Sequence, residues 1–258
     1  MTEPVAVVRA DQVARVRVNR PAVRNALDAT AIGRLTQIFR ELSSDADIRC
    51  VVLEGQGQTF CGGADINYMR AGLDLTQAEN VADAVRLGDM FAAIDGCAAP
   101  VIARVQGAAL GGGAGLIAAC DIAIAERDAV FGFTEAKLGI VPAVISPFVV
   151  RKIGPGHARA LFSTAERFDA QRALRIGLIH EICLADELDR AVEDKVAELR
   201  SSAPQAARAA KQLARRVGTM APDEARAWTA AEIATRRAGA EGQEGLRAFI
   251  ERRKPAWR

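Results

Sequence analysis

Apolar and polar positions follow two alternating periods along most of this chain. Short runs rich in β-branched residues at 5–8, 14–18, 50–54, 101–105 and 122–125 read as strands, with 50–54 and 101–105 apolar enough to be buried. The first two form a pair turning at Asp11 and Gln12. Between strands the spacing becomes helical. Residues 28–43 put Ile32, Leu35, Ile38, Phe39 and Leu42 on one face behind Asp28, a good N-cap residue. Residues 82–94 form a second amphipathic helix, and 107–119 a glycine-rich turn that opens a short helix. Strands separated by helices predict an α/β fold with largely parallel sheets.

From about residue 190 the pattern is almost wholly helical, at 188–200, 204–216, 222–237 and 243–253. These helices are rich in Ala and Arg and poor in large apolar residues, so they cannot make much core alone. They are expected to pack on the α/β body or on another subunit. The expected division is a core of residues 1–200 and a helical region of residues 201–258.

Composition narrows the functions open to such a fold. Half of the 258 residues are hydrophobic, enough for a sizeable core. Thirty-four basic against 32 acidic residues give a net charge of only +2, which argues against a polyanion-binding surface. Two Trp, one Tyr and nine Phe are too few and scattered for base stacking, so no nucleic-acid partner is expected. Five cysteines without a C-x-x-C pair read as buried thiols in a reducing compartment. Two isolated histidines suggest no metal site. No apolar run approaches the roughly 20 residues a membrane span needs, and the N-terminus lacks a signal-peptide core, so a cytoplasmic protein without a membrane partner is expected.

Three segments could carry chemistry. Thr59–Ile66 and Gly107–Leu116 each follow a buried strand, and the second opens a helix whose first N–H groups lack intrahelical acceptors. Glycines let a ligand approach such a backbone, and a carbonyl held there gains stabilisation as it becomes an oxyanion. The alternative is that these glycines serve only tight turns and close packing. Gly113 and Gly115 also fit a G-x-G-x-x-A pattern. The stretch before the next strand is too short for the roughly 10–12 residues of a βαβ crossover, so that match is accidental. The third segment carries Glu135 in apolar surroundings. In a dry pocket its pKa would rise, as suits proton transfer; the alternative is an ion pair to Lys137 or an arginine. No G-x-S-x-G elbow is present and Cys61 has no nearby histidine.

In order along the chain, 19–27 (Asn-Arg-Pro…Arg-Asn-Ala-Leu), 60–66 (Phe-Cys-Gly-Gly-Ala-Asp-Ile), Gly107 to Gly113, 120–123 (Cys-Asp-Ile-Ala) and 249–255 (Phe-Ile-Glu-Arg-Arg-Lys-Pro) resemble the enoyl-CoA hydratase/isomerase (crotonase) superfamily. The resemblance implies a crotonase-like spiral of ββα units with a C-terminal helical trimerisation region, assembled as a homotrimer or as a hexamer of paired trimers. It implies an acyl-CoA thioester substrate and no separate cofactor, coenzyme A being part of the substrate. The family's oxyanion hole falls on the N–H groups of Ala64 and Gly112. Its CoA-contacting positions fall on Arg24 and Ala26, on Ala64, Asp65 and Ile66, on Gly111 and Gly115 beside the thioester, and on Phe249 and Lys254, which reach the CoA of their own or a neighbouring subunit.

Of the two glutamates typical of hydratases, one matches Glu135 and the other falls on Gly115, where the missing side chain makes room for either a bulkier substrate or another acid. The stretches 138–150 and 163–170 resemble a bacterial subgroup of methylglutaconyl-CoA or isohexenylglutaconyl-CoA hydratases. Their substrates carry a second carboxylate, for which Arg70, Arg86 and Lys137 are candidates, although each taken singly reads better as a solvated surface charge. The expectation is therefore a hydratase-type lyase of fatty-acid or leucine breakdown. The alternatives are a single-glutamate Δ3,Δ2-enoyl-CoA isomerase and a catalytically silent CoA-ester-binding oligomer.

Overall fold

The computed structural model describes residues 3–257. Strands β1 (Val5–Ala10) and β2 (Val13–Val18) form a hairpin, and helix α1 (Ala29–Ser44) leads to β3 (Cys50–Gly55). Helices α2 (Ile66–Gly72) and α3 (Gln77–Asp95) precede β4 (Val101–Val105), β5 (Ala108–Leu110), α4 (Gly112–Ala119), β6 (Ile122–Glu126) and β7 (Val130–Gly132). Then come α5 (Ser146–Thr164), β8 (Arg167–Asp169), α6 (Ala170–Arg175) and β9 (Glu181–Cys183). Four helices end the chain: α7 (Leu188–Ser201), α8 (Pro204–Arg216), α9 (Pro222–Ala238) and α10 (Ala240–Ile250).

The main sheet has the order β1-β2-β3-β4-β6-β9, and every pair after the first is parallel. A smaller sheet runs β5-β7-β8. Both faces of the main sheet are covered. Val51, Leu53, Val101, Ala103 and Val105 point into the large core shared with α1, α3 and α4. Their neighbours Cys50, Val52 and Ile102 point to the other face, against Leu188, Val192 and Val196 of α7. Alternation along a strand combined with cover on both sides explains why these strands read as continuous apolar runs.

Helix starts follow their caps. Asp28 accepts the Ala31 N–H at 2.8 Å, as its residue type predicts. Helix α3 begins five residues before the apolar pattern does, because Thr76 and Glu79 close a capping box. The tail docks on the body through long basic side chains rather than apolar area. Arg208 donates to the Asp45 and Ile48 carbonyls, and Lys211, 8% exposed, pairs with Asp121 at 2.7 Å.

Candidate active site

The two glycine-bearing segments lie side by side. The Cys61 N–H donates to the Ala108 carbonyl and the Leu110 N–H to the Cys61 carbonyl, at 3.0 and 3.1 Å. Glycine is required where they touch. A Cβ at Gly113 would lie 2.9 Å from Cys61 Cβ, and one at Gly63, whose φ is +105°, would lie 3.1 Å from the Leu110 carbonyl oxygen.

On its other side the first segment pairs with Leu27. The Leu27 N–H donates to the Gly63 carbonyl and the Asp65 N–H to the Leu27 carbonyl, at 2.8 and 2.9 Å. In such a parallel bridge the residue between, Ala64, turns its own N–H away from Leu27. Among the described residues neither this N–H nor that of Gly112, the first residue of α4, has a backbone acceptor. Both residues line one cavity of about 230 Å³.

Glu135 lines the same cavity, at the start of a 3-10 turn (Glu135–Leu138). Its Oε1 stands 3.2 Å from where a Cβ on Gly111 would be, and Gly111 has φ +50°. Residue 111 is thus glycine for two reasons, backbone conformation and approach of the carboxyl. Oε2 is buried and has no hydrogen-bond partner among the described residues. Burial pushes the Glu135 carboxyl above the usual carboxylate range, a hydrogen bond from its own N–H opposing this only in part. Among the described residues no ion pair joins Glu135 to Lys137 or an arginine, the alternative open on sequence alone. Leu27, Ile32, Leu87 and the stretch 140–145 make the remaining wall almost wholly apolar. An apolar-walled cavity with two open N–H groups and one carboxyl able to hold a proton can polarise a carbonyl and move a proton next to it.

The room expected beside Gly115 is taken. A Cβ there would lie 3.0 Å from Ile145 Cβ and 3.1 Å from Phe91 Cε1, and closer still to Ile145 Cγ2. Gly115 therefore admits the protein's own isoleucine, which lines the cavity in its stead, rather than a bulkier substrate or another acid. Cys61 is fully buried and its thiol is pushed up to about 12 by burial, which suits no nucleophile.

A groove of about 610 Å³ adjoins this cavity and shares Ala64 with it. Its wall includes Arg24, Ala26, Asp65 and Ile66; Arg24 is exposed and Ile66 is 69% exposed. The Asp65 side chain is already committed. It caps α2, accepting the Asn67 N–H at 2.8 Å, and pairs with Arg20 at 3.0 Å. Phe249, 84% exposed, and Lys254 line neither space within one chain. Of the candidates for a second carboxylate, Arg70 bonds Asn67 and Arg86 pairs with Asp83, at 3.1 and 2.8 Å. Lys137 is exposed, and none of the three lines the cavity.

Two organisers escaped the sequence reading. Arg20 bonds the Ala26 carbonyl, Asp28 at 2.8 Å and Asp65, tying the first loop to the caps of α1 and α2. Asn25 is fully buried; its amide donates to the Gln56 and Thr59 carbonyls and accepts the Arg20 N–H. These bonds hold Arg24 and Asn25 at φ +55°, which costs about 1–2 kcal/mol per residue. The only signal was their place within the 19–27 motif, otherwise noted for Arg24 and Ala26 at a ligand.

The enoyl-CoA hydratase/isomerase family model matches residues 9–258. A short-chain-enoyl-CoA hydratase of Clostridium acetobutylicum is 32% identical over 245 residues, 94% of this chain and 93% of its own. Among solved structures, an enoyl-CoA hydratase from Shewanella pealeana has 38% identity, covers 98% of this chain and 96% of its own, and superposes with a TM-score of 0.94. Pseudomonas aeruginosa AtuE gives 38% identity, 99% coverage of both chains and a TM-score of 0.94.

Proposed function

Because this chain belongs to the enoyl-CoA hydratase/isomerase family, with the α/β crotonase fold, we propose that it adds water across the α,β double bond of an acyl-CoA thioester, using one carboxyl group. One observation carries the proposal: the buried, unpartnered Glu135 Oε2 shares a cavity with the open N–H groups of Ala64 and Gly112. The thioester oxygen accepts from those two N–H groups, and as the β-carbon is attacked it takes up the enolate charge. Each such donor is worth about 2.7–4 kcal/mol in the transition state. The protonated Glu135 delivers its proton to the α-carbon while its other oxygen takes one from the attacking water. The water oxygen bonds to the β-carbon and the carboxyl ends as it began. A pKa raised by burial keeps the proton available for this exchange.

The CoA portion lies along the groove past Ala64, with Arg24 toward its phosphates. The exposed apolar side chains of Leu246, Phe249 and Ile250 support assembly of a trimer in which Phe249 and Lys254 reach a neighbouring CoA. A cavity without a basic side chain favours an acyl group lacking the second carboxylate of methylglutaconyl-CoA.

One observation favours isomerisation instead. With Ile145 beside Gly115 no second carboxyl among the described residues lines the cavity, and a 1,3-proton shift through the enolate needs only Glu135. Incubation with a 2-enoyl-CoA and, separately, a 3-enoyl-CoA distinguishes the two. A 3-hydroxyacyl-CoA product that Glu135→Gln forms at least about 100-fold more slowly supports hydration. Double-bond migration without that product assigns the isomerase, and no turnover across a broad enoyl-CoA panel leaves a CoA-ester-binding protein.

A further inference from the structure

The acyl cavity shares one wall with a neighbouring groove. Tyr68 of α2 and Ile32 of α1 line the 230 Å³ cavity on one side and, on the other, a second groove of about 430 Å³ between α1 and α3. Tyr68 is held in this position by a hydrogen bond from its hydroxyl to Asp83 Oδ2 of α3. Arg86 in turn donates to Asp83 Oδ1 at 2.8 Å, fixing the carboxylate that receives the hydroxyl. Burial and the Asp83 charge both push the Tyr68 phenol well above its ordinary pKa, so it remains a donor throughout the working pH range. Ile32, 3% exposed, belongs to the core and has no such freedom. The part of the wall outside the buried core is thus the Tyr68 ring, half-buried against that core on a short helix with no buried residue of its own.

The chemistry on the two sides differs. Among the described residues the acyl cavity offers a carboxyl, a phenol and apolar side chains but no cation. The outer groove carries Arg40, Glu41, Arg86 and Asp89, with Arg40 paired to Asp89 and Arg86 to Asp83. An acyl chain that ends before Tyr68 meets only apolar wall. A longer one must break the Tyr68–Asp83 bond and displace the ring, and a charged one has no counter-ion inside.

We propose that Tyr68, latched by Asp83 and Arg86, is the specificity-determining end wall of the acyl site, limiting this protein to short, uncharged acyl groups. The proposal rests on the assignment of this cavity to the acyl chain, not on which reaction follows. Tyr68 and Asp83 are positioning residues; neither handles the reacting atoms. The test is the affinity of the full-length protein for butyryl-, decanoyl- and glutaryl-CoA by calorimetry, which needs no turnover, alongside rates on 2-butenoyl- and 2-decenoyl-CoA. The wild type should bind butyryl-CoA best of the three.

Asp83→Ala and Tyr68→Phe each delete the latch, a hydrogen bond to a charged group. Both should move the butyryl-to-decanoyl affinity ratio toward decanoyl by between about tenfold and a hundredfold. A general loosening of the fold would weaken both esters alike and leave the ratio where it was. An unmoved ratio in both variants, or tighter binding of glutaryl-CoA than butyryl-CoA by the wild type, overturns the proposal while any enoyl-CoA turnover stands. A ratio that moves in a protein with no turnover supports the end wall and removes the proposed reaction. Failure to bind any of the three esters removes both.

Discussion

Replacing Gly115 by alanine should destabilise this protein, although helix propensity alone favours the change. The residue lies inside α4, where alanine is better than glycine by about 1 kcal/mol. Against this stands the new Cβ, 3.0 Å from Ile145 Cβ and 3.1 Å from Phe91 Cε1. The first is a branch point next to the backbone, the second belongs to a fully buried ring, and neither can swing aside like the end of a lysine. Overpacking of this kind costs about 1–3 kcal/mol, and with three atoms crowded the upper end, about 3, applies. The net effect is a loss of about 2 kcal/mol, or a Tm lower by about 4–8 °C in a chain of this size. Ile145→Ala by itself should cost about 2–5 kcal/mol, since Ile145 is 3% exposed. In the double variant Ile145 Cγ2, the closest of the three crowding atoms, is gone, so the double variant should be more stable than the sum of the two by over about 1 kcal/mol. Scanning calorimetry and urea unfolding of the four proteins measure this. A Gly115→Ala protein that melts higher than wild type, with an additive double variant, would mean that the space beside residue 115 is open and that the case for a single carboxyl fails.

Two further outcomes follow from the same geometry. Arg20→Met leaves the buried Asp65 carboxylate without its counter-charge, and should cost about 3 kcal/mol in urea unfolding and raise KM for the thioester more than it lowers kcat. Glu135 holds its proton more tightly folded than unfolded, so its contribution to stability falls as pH rises from the ordinary carboxylate range toward its raised folded value and stays lost above it. Glu135→Gln carries no such penalty; its Tm should exceed that of the wild type at pH 7, and the gap should narrow toward pH 4.

What the sequence revealed was what depends on neighbours along the chain. The cap at Asp28, the apolar face from Ile32 to Leu42 and the continuous strand at Cys50 are local patterns, and all three stand in the structure. Glu135 was legible because its surroundings in sequence are as apolar as its surroundings in space. The missed features are contacts between distant segments. Ile145 fills the space at Gly115 from thirty positions away, and nothing in the spacing of either residue marks the pair. Arg20 has no role legible along the chain, because Asp28 and Asp65 converge on it only in space. Helix α2 has little apolar face to find: none of its residues is buried, and besides the packing of Tyr68 on the core it is held by the Asp65 cap and the Tyr68 latch.

Exchange of the α-protons of butyryl-CoA in D2O, followed by NMR, isolates enolate formation from the addition of water. Proline is accepted at the first position of a helix, so Gly112→Pro deletes one N–H while leaving the start of α4 in place. Wild-type protein should catalyse the exchange, and Gly112→Pro should slow it by at least about 10²–10³-fold at saturating butyryl-CoA. Exchange by Gly112→Pro at the wild-type rate would show that this amide does not hold the enolate oxygen.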